Sequence, residues 1–503
     1  MKILDYLRQN IERYPEGIFL VSGDESYSYS QFYDKMNQFS ARLKALGIGK
    51  GDNVGIMLPN IPEWIIAYYS ILKIGAVVVP INIMLKDNEI KYLLTDSGAK
   101  SVIFWDGFSS DVMKAATGSG CNILIKCGGS EIEGIHEFGE SVPHYDRQDE
   151  ESELNEDDTC VIIYTPGTTG KPMGVELSQK AVVENALSCS ILLPVGPSDT
   201  IIGVLPLFHS FGHTAVMNLT MVIGAKLVLV QRFEPLELSK MIKSLSPSLF
   251  FGVPSMYHAI LNDKRIEADS FQKVKYCISG AAKLAANLLK DFENKFNCVI
   301  LEGYGLTEAG PVVSFNKNAS LRRPGSIGFP IDGVEMNIFD DDGNEIDRGQ
   351  IGEIVVRGES VMKGYLNDPD ATKRSFINGW LRTGDLARVD DEGYYYIVDR
   401  KSDLIIKHGF NVYPKEIENE LLTHPDIKEC SVIGIRDDAV GEKIKVYVVP
   451  ANGNSMNEEE ITKYCSERMA AYKVPDIVEI IAGLPKNASG KVLKKSLRML
   501  HKY

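Results

Sequence analysis

The sequence predicts an α/β protein with three parts: a large N-terminal domain of α/β sheets, a β-rich subdomain, and a small α+β C-terminal domain. Three observations carry this. Helical and β-rich runs alternate through the first four-fifths of the chain, the mark of a mostly parallel sheet with crossover helices. From about Gly325 the pattern changes to short apolar runs separated by turn signals. After Asp399-Arg400-Lys401-Ser402 a compact unit begins. A boundary is therefore expected at about residue 400, giving domains over 1–400 and 401–503.

The elements follow in order. Residues 29–46 read as a helix, 53–58 as a buried strand, 62–73 as a helix and 75–80 as a second strand. The apolar run 64–83 is interrupted by Lys73, Gly75 and Pro80. It reads as a buried helix running into a strand, and not as a membrane span. Residues 121–155 are less regular, and their acidic clusters suggest an exposed connector. Val161-Ile162-Ile163-Tyr164 and Val175-Glu176-Leu177 are strand-like. Asp340-Asp341-Asp342-Gly343 and Asp390-Asp391-Glu392-Gly393 are acidic turns between β runs. In the last hundred residues, helices near 414–423 and 458–470 accompany strands near 430–435 and 444–450.

Composition narrows the function. The 503 residues exceed one ordinary core, and 44% apolar with 24% charged residues is a globular balance. A formal net charge of -14 repels phosphate backbones and argues against sequence-independent nucleic-acid binding. A phosphorylated small ligand needs only a few local donors and stays open. Eight scattered cysteines with no CxxC pair read as buried free thiols of a reducing cytoplasm. The charged start, Met1-Lys2-Ile3-Leu4-Asp5-Tyr6-Leu7-Arg8, lacks the apolar core of a signal peptide.

One segment looks built for phosphates. Thr165-Pro166-Gly167-Thr168-Thr169-Gly170-Lys171 follows a strand-like run. Glycines let backbone N–H groups approach a ligand closely, and adjacent Thr hydroxyls add donors, so the loop can wrap polyphosphate oxygens. It is not GxxxxGK[ST], because Pro172 follows Lys171 and the next segment is strand-like. A plain Gly/Thr-rich hairpin is the alternative.

With its neighbours, residues 164–175, this loop resembles the signature of AMP-forming, adenylate-forming enzymes. Further motifs follow in order: Gly303-Tyr304-Gly305-Leu306-Thr307-Glu308, Leu381-Arg382-Thr383-Gly384-Asp385, Asp399-Arg400-Lys401-Ser402-Asp403, Gly409-Phe410-Asn411-Val412-Tyr413-Pro414 and Pro485-Lys486-Asn487-Ala488-Ser489-Gly490-Lys491. They span nearly the whole chain and look most like fatty-acyl-CoA synthetases. The resemblance implies that the carboxylate of an acid attacks the α-phosphorus of ATP, and that the thiol of CoA then displaces AMP. It implies ATP, Mg²⁺ and CoA as ligands, with a small carboxylic acid, and a mobile C-terminal domain.

It also implies roles. Thr165, Gly167, Thr168, Thr169, Gly170 and Lys171 hold the phosphates. Glu308 holds Mg²⁺ and Thr307 touches the α-phosphate. Tyr304, between Gly303 and Gly305, stacks on adenine, opposite Gly280-Ala281-Ala282. Asp385 accepts the ribose hydroxyls, and Arg400 reinforces the ribose and phosphate end. Lys491 is the catalytic lysine of adenylation. His209 stands at the entrance of an acyl pocket formed with Phe211, Val253, Gly305, Pro311 and Val312. His209 and His213 are spaced i, i+4, but Ser210 stands where a metalloprotease base would be. Gly409 and Phe410 line the CoA tunnel, and Ser402 is the hinge.

The chain departs from the family loop twice: Pro166 stands where Ser is usual and Met173 where Lys is usual. Both changes remove groups that would meet phosphate. Alternatives at this point are aryl or alicyclic acids as substrate, a carrier-protein thiol as acceptor, and a nucleotide-binding homologue with weakened turnover. A homodimer stays open.

Overall fold

In a computed structural model, residues 1–140, 155–166, 171–408, 410–437, 440–451, 456–486 and 492–500 are described. The chain divides into two compact units. The first comprises Met1–Met336 and Val356–Leu381; the second comprises Asn337–Val355 and Arg382–Tyr503.

The first unit contains two large sheets. One has nine strands, in the order Phe329–Pro330, Val312–Phe315, Ile300–Gly305, Tyr276–Ser279, Leu249–Gly252, Thr200–Gly203, Lys226–Leu229, Ile18–Ser22 and Glu25–Ser28. Strands from Ile300–Gly305 to Ile18–Ser22 run parallel, and the edges are antiparallel. The other has eight strands and ends in an antiparallel hairpin, Thr159–Pro166 with Pro172–Ser178, edged by Gly364–Tyr365. The mixed α/β class expected from the alternating pattern is the observed one.

Local sequence explains the helices that cover these sheets. Helix Tyr29–Ala45 starts at Ser28, whose hydroxyl accepts from Gln31 N–H while the Gln31 side chain accepts from Ser28 N–H, a reciprocal cap. Helix Pro62–Lys73 begins with proline in its first turn. It ends at Gly75, whose φ of 76° lets the Ala76 N–H reach back to Ile71 O. The expected strand at 75–80 therefore begins only at Val77. No helix among the described residues is long and apolar enough to cross a membrane.

The core against the nine-stranded sheet is aromatic. Phe250, Tyr257, Phe271, Phe292 and Phe296 meet mainly edge-on or tilted, with centroids 4.6–5.7 Å apart. Such pairs add about 0.5–1.5 kcal/mol each beyond burial. All eight cysteines are buried with free thiols.

In the second unit, Trp380–Val389 pairs antiparallel with Tyr395–Arg400 through residues 385–389. Acidic turns at 340–343 and 390–393 close as expected, Gly343 N–H to Asp340 O and Gly393 N–H to Asp390 O. Ile427–Asp437 and Gly441–Pro450 form a long hairpin in a five-stranded sheet, covered by helices Pro414–Leu421, Glu458–Ser466 and Lys494–Leu500. The expected helix at 458–470 stops at Ser466. Met469 still packs on the core, but from a turn whose N–H bonds to Cys465 O.

Candidate active site

Adjacent parallel strands present most of the predicted first-unit residues at their C-terminal ends. Gly252, Ser279 and Glu302 are register partners across three neighbouring strands, so Val253 and Gly280 leave the sheet side by side next to Gly303, whose strand runs on to Gly305 and pairs there with Val312–Phe315. Thr200–Gly203, next in the sheet, leads toward His209 and Phe211. The crevice beyond the carboxyl ends of such strands is where open α/β sheets bind ligands.

Side chains close this crevice. Thr307 Oγ1 lies 3.1 Å from Ser210 Oγ, joining the His209 segment to the Tyr304-Glu308 segment. The Phe211 ring rests on Gly280, where a Cβ would come within 3.0 Å of the ring, and meets Phe251 edge-on at 6.0 Å. A Cβ on Gly305 would fall 2.0 Å from Pro311 O. Glycine there lets Leu306 N–H bond Pro311 O at 3.0 Å. The Asn185 side chain donates to Val312 O and accepts from its N–H. Thus Phe211, Gly305, Pro311 and Val312 sit within one region. Tyr304 is buried, Ala281 and Ala282 are exposed, and Ala281 has φ of 66°. Burial pushes the His209 imidazole below its usual range, which favours its neutral form. His213, four residues on, is fully buried against Trp64 and Tyr68, and burial lowers it to about 3.

Glu308 is tied to the loop hairpin. Tyr365 donates its hydroxyl to Glu308 Oε1 at 3.1 Å, and Met362 N–H bonds Glu308 O. Tyr365 itself is the register partner of Val175 in the hairpin. Within the hairpin Thr165 opposes Met173, and the buried Thr165 Oγ1 has no hydrogen-bond partner among the described residues. Among those residues no group of three or more His, Cys, Asp or Glu could cage a metal. A single carboxylate tied to this hairpin through Tyr365 fits Mg²⁺, which takes one or two carboxylates and completes its shell with phosphate oxygens and water.

In the second unit, Asp385 and Arg400 are register partners. Arg400 Nε lies 2.7 Å from Asp385 Oδ1, and its guanidinium also donates to Thr383 O. Next to them Glu353 accepts from Arg382, Lys401 and Gly384 N–H. Burial would raise the Glu353 carboxyl, but these hydrogen bonds outweigh it and hold it below its usual range. Ser402 lies in the short helical turn Lys401–Asp403. Phe410 is exposed and stacks on Tyr472 at 4.9 Å. Gly167, Thr168, Thr169, Gly170, Gly409 and Lys491 lie outside the described residues. Lys171, just after the loop, is exposed.

Sequence reasoning missed Ser210, Tyr365 and Glu353. Ser210 was noticed only as the residue that spoils a zinc motif. Tyr365 lies 57 residues from its partner Glu308, and no local pattern marks it.

Comparison with known proteins identifies the family. Residues 7–366 match the AMP-binding enzyme family, and residues 416–491 match the AMP-binding enzyme C-terminal domain. The chain is 33% identical to a long-chain-fatty-acid–CoA ligase of Bacillus subtilis, over 98% of this chain and 93% of that one. It is 31% identical to a feruloyl-CoA synthase of an Amycolatopsis species, over 96% of both. Among solved structures, the anthranilate CoA ligase AuaEII in complex with anthranoyl-AMP superposes with a TM-score of 0.91 at 28% identity, covering 99% of this chain and 97% of that one. The ordered motifs, the crevice at the strand ends and these matches lead to one conclusion: the chain belongs to the AMP-binding enzyme family and is an AMP-forming acid–thiol ligase.

Proposed function

We propose that this acyl-CoA ligase acts on a medium- or long-chain fatty acid. The observation that carries the reading is the apolar wall beside the strand ends, Phe211 against Phe251 with buried Val253. The near full-length likeness to a fatty-acid ligase supports it. Aryl acids are the second reading, favoured by the feruloyl-CoA relative and the anthranilate ligase.

In the first half-reaction the acid's carboxylate attacks the α-phosphorus of ATP, and pyrophosphate leaves. Catalysis is placement and charge stabilisation, with no nucleophilic side chain. The 165–171 loop wraps the phosphates and Thr307 contacts the α-phosphate. Glu308 would hold Mg²⁺, which neutralises phosphate charge when bound. Asp385 accepts the ribose hydroxyls while Arg400 braces it. Neutral His209 gates the acyl pocket without bringing a charge to an apolar tail. Lys491 stabilises the charge spreading onto pyrophosphate. A domain of residues 401–503 then turns about Ser402, withdrawing Lys491 and bringing Gly409 and Phe410 to line the path of the CoA thiol.

The test is pyrophosphate release across saturated C6–C18 acids, benzoate, cinnamate and a dicarboxylate, each with and without CoA. The proposal expects the highest kcat/KM on an aliphatic acid of C8 or longer. Preference for cinnamate or benzoate would establish the aryl reading. A carrier protein outcompeting CoA as acceptor would overturn the CoA half-reaction.

A further inference from the structure

Helix Asp87–Asp96 grips both strands of the loop hairpin from outside, through two side chains. Tyr92 and Asp96 are four residues apart, which places them on one helix face. The Tyr92 hydroxyl donates to Pro172 O at 3.0 Å, on the strand that leaves the loop. The Lys171 Nζ lies 6.0 Å from the Tyr92 ring centroid, the outer reach of a cation–π contact. On the strand that enters the loop, Tyr164 donates its hydroxyl to Asp96 Oδ2 at 2.7 Å. The two tyrosine rings meet edge-on at 6.5 Å. The far side is held as well: Asn367 donates to Asp96 O, and Leu366 N–H to Gly174 O.

We propose that Tyr92 is a positioning residue for the triphosphate of ATP. It fixes the strand that begins at Pro172 and holds the Lys171 ammonium over its ring. Asp96 does the same for the entering strand through Tyr164. Hydrogen bonds to phosphate depend on backbone placement to fractions of an ångström. In this chain Pro166 offers no N–H and Met173 no charge, so phosphate binding falls on the remaining groups, whose flanking strands these grips hold. The proposal rests on reading residues 165–171 as the phosphate cradle.

Two variants test it, Tyr92→Phe and Tyr92→Leu. Binding of Mg²⁺·ATP is measured by calorimetry, with steady-state KM for ATP and for the acid. Conversion of a presynthesised acyl-adenylate to acyl-CoA, which bypasses ATP, is measured in parallel. Losing one hydrogen bond predicts an ATP Kd raised on the order of fivefold in Tyr92→Phe. Losing the ring as well predicts on the order of tenfold or more in Tyr92→Leu. The KM for the acid and the rate from acyl-adenylate stay at wild-type values. An unchanged ATP Kd in both variants overturns the proposal. So does a parallel fall in adenylate conversion, which would mean general damage to the fold. Should Tyr92→Leu fail to fold, Tyr92→Phe decides alone. Should the wild type bind ATP but make no acyl-CoA, the ligase reading fails, while the ATP Kd still judges Tyr92.

Discussion

The two units hold their candidate residues in different ways. In the first, placement is a matter of backbone. Val253, Gly280 and Gly303 lie side by side because Gly252, Ser279 and Glu302 are in register, and Phe211 seats on a glycine where a Cβ would press on its ring. In the second, ion pairs are added to register. Asp385 pairs with Arg400, Glu353 takes Arg382 and Lys401, and Glu418 takes Lys415 and Lys494. Lys407 pairs with Asp476, and Arg498 with Asp403. Geometry set by register tolerates changes of salt and pH. Geometry set by ion pairs is held firmly where the pairs are buried and responds to its surroundings where they are not.

The largest expected effect falls on the charged side. Replacing Lys491 with Ala is expected to slow acid-dependent pyrophosphate release by about 10²–10³-fold, the usual cost of removing one preorganised group. Acyl transfer from supplied acyl-adenylate to CoA should persist. Loss of both half-reactions together would mean that Lys491 is not confined to adenylation.

The next effect is on stability. The Glu418 carboxylate is 5% exposed and lies 2.9–3.0 Å from two lysines. Burial would raise it, but the lysines hold it below its usual range. Glu418→Ala strands the Lys494 ammonium, which is 14% exposed, and the Val432 N–H, while Lys415 can turn to solvent; the loss should cost about 3 kcal/mol. In scanning calorimetry it should lower a transition of the second unit and leave one of the first unit in place. Equal movement of both would show that the two units do not melt separately.

The smallest effect is the acid sensitivity that one buried histidine adds to the stability of the first unit. His213 drops from its usual 6.5 to about 3 by burial. The unfolded chain takes up this proton below pH 6.5, whereas the folded chain resists it. The contribution is therefore complete above pH 6.5 and is lost as pH falls toward 3, with a slope of at most about 1.4 kcal/mol per pH unit. His213→Phe should flatten the pH dependence of the urea midpoint between pH 6 and 4.5. Identical slopes in wild type and variant would assign the acid sensitivity elsewhere.

Much of this was legible in the chain itself, and the reason is local. The strands beside the Gly/Thr loop, helix Pro62–Lys73 and the acidic turns each declare themselves within a dozen residues. Boundaries slipped where a local signal was ambiguous. Gly75 and Ala76 look like strand but finish a helix, and Met469 keeps helical spacing after the helix has ended. Most pairings between distant residues could not be read at all. Tyr365 with Glu308, Ser210 with Thr307 and Lys494 with Glu418 are made by the tertiary fold, and no periodicity encodes them.

The burial of all eight cysteines has a chemical consequence for an enzyme of this kind. A mixed anhydride of an acid and AMP is an indiscriminate acylating agent, and it must wait for its acceptor. Burial pushes Cys121, Cys127 and Cys189 up to about 12 and Cys465 to about 11. They keep their protons at neutral pH, and a thiol that keeps its proton is a poor nucleophile. The protein thus spares itself from its own intermediate, leaving the activated acyl group to a sulfur that arrives from solution.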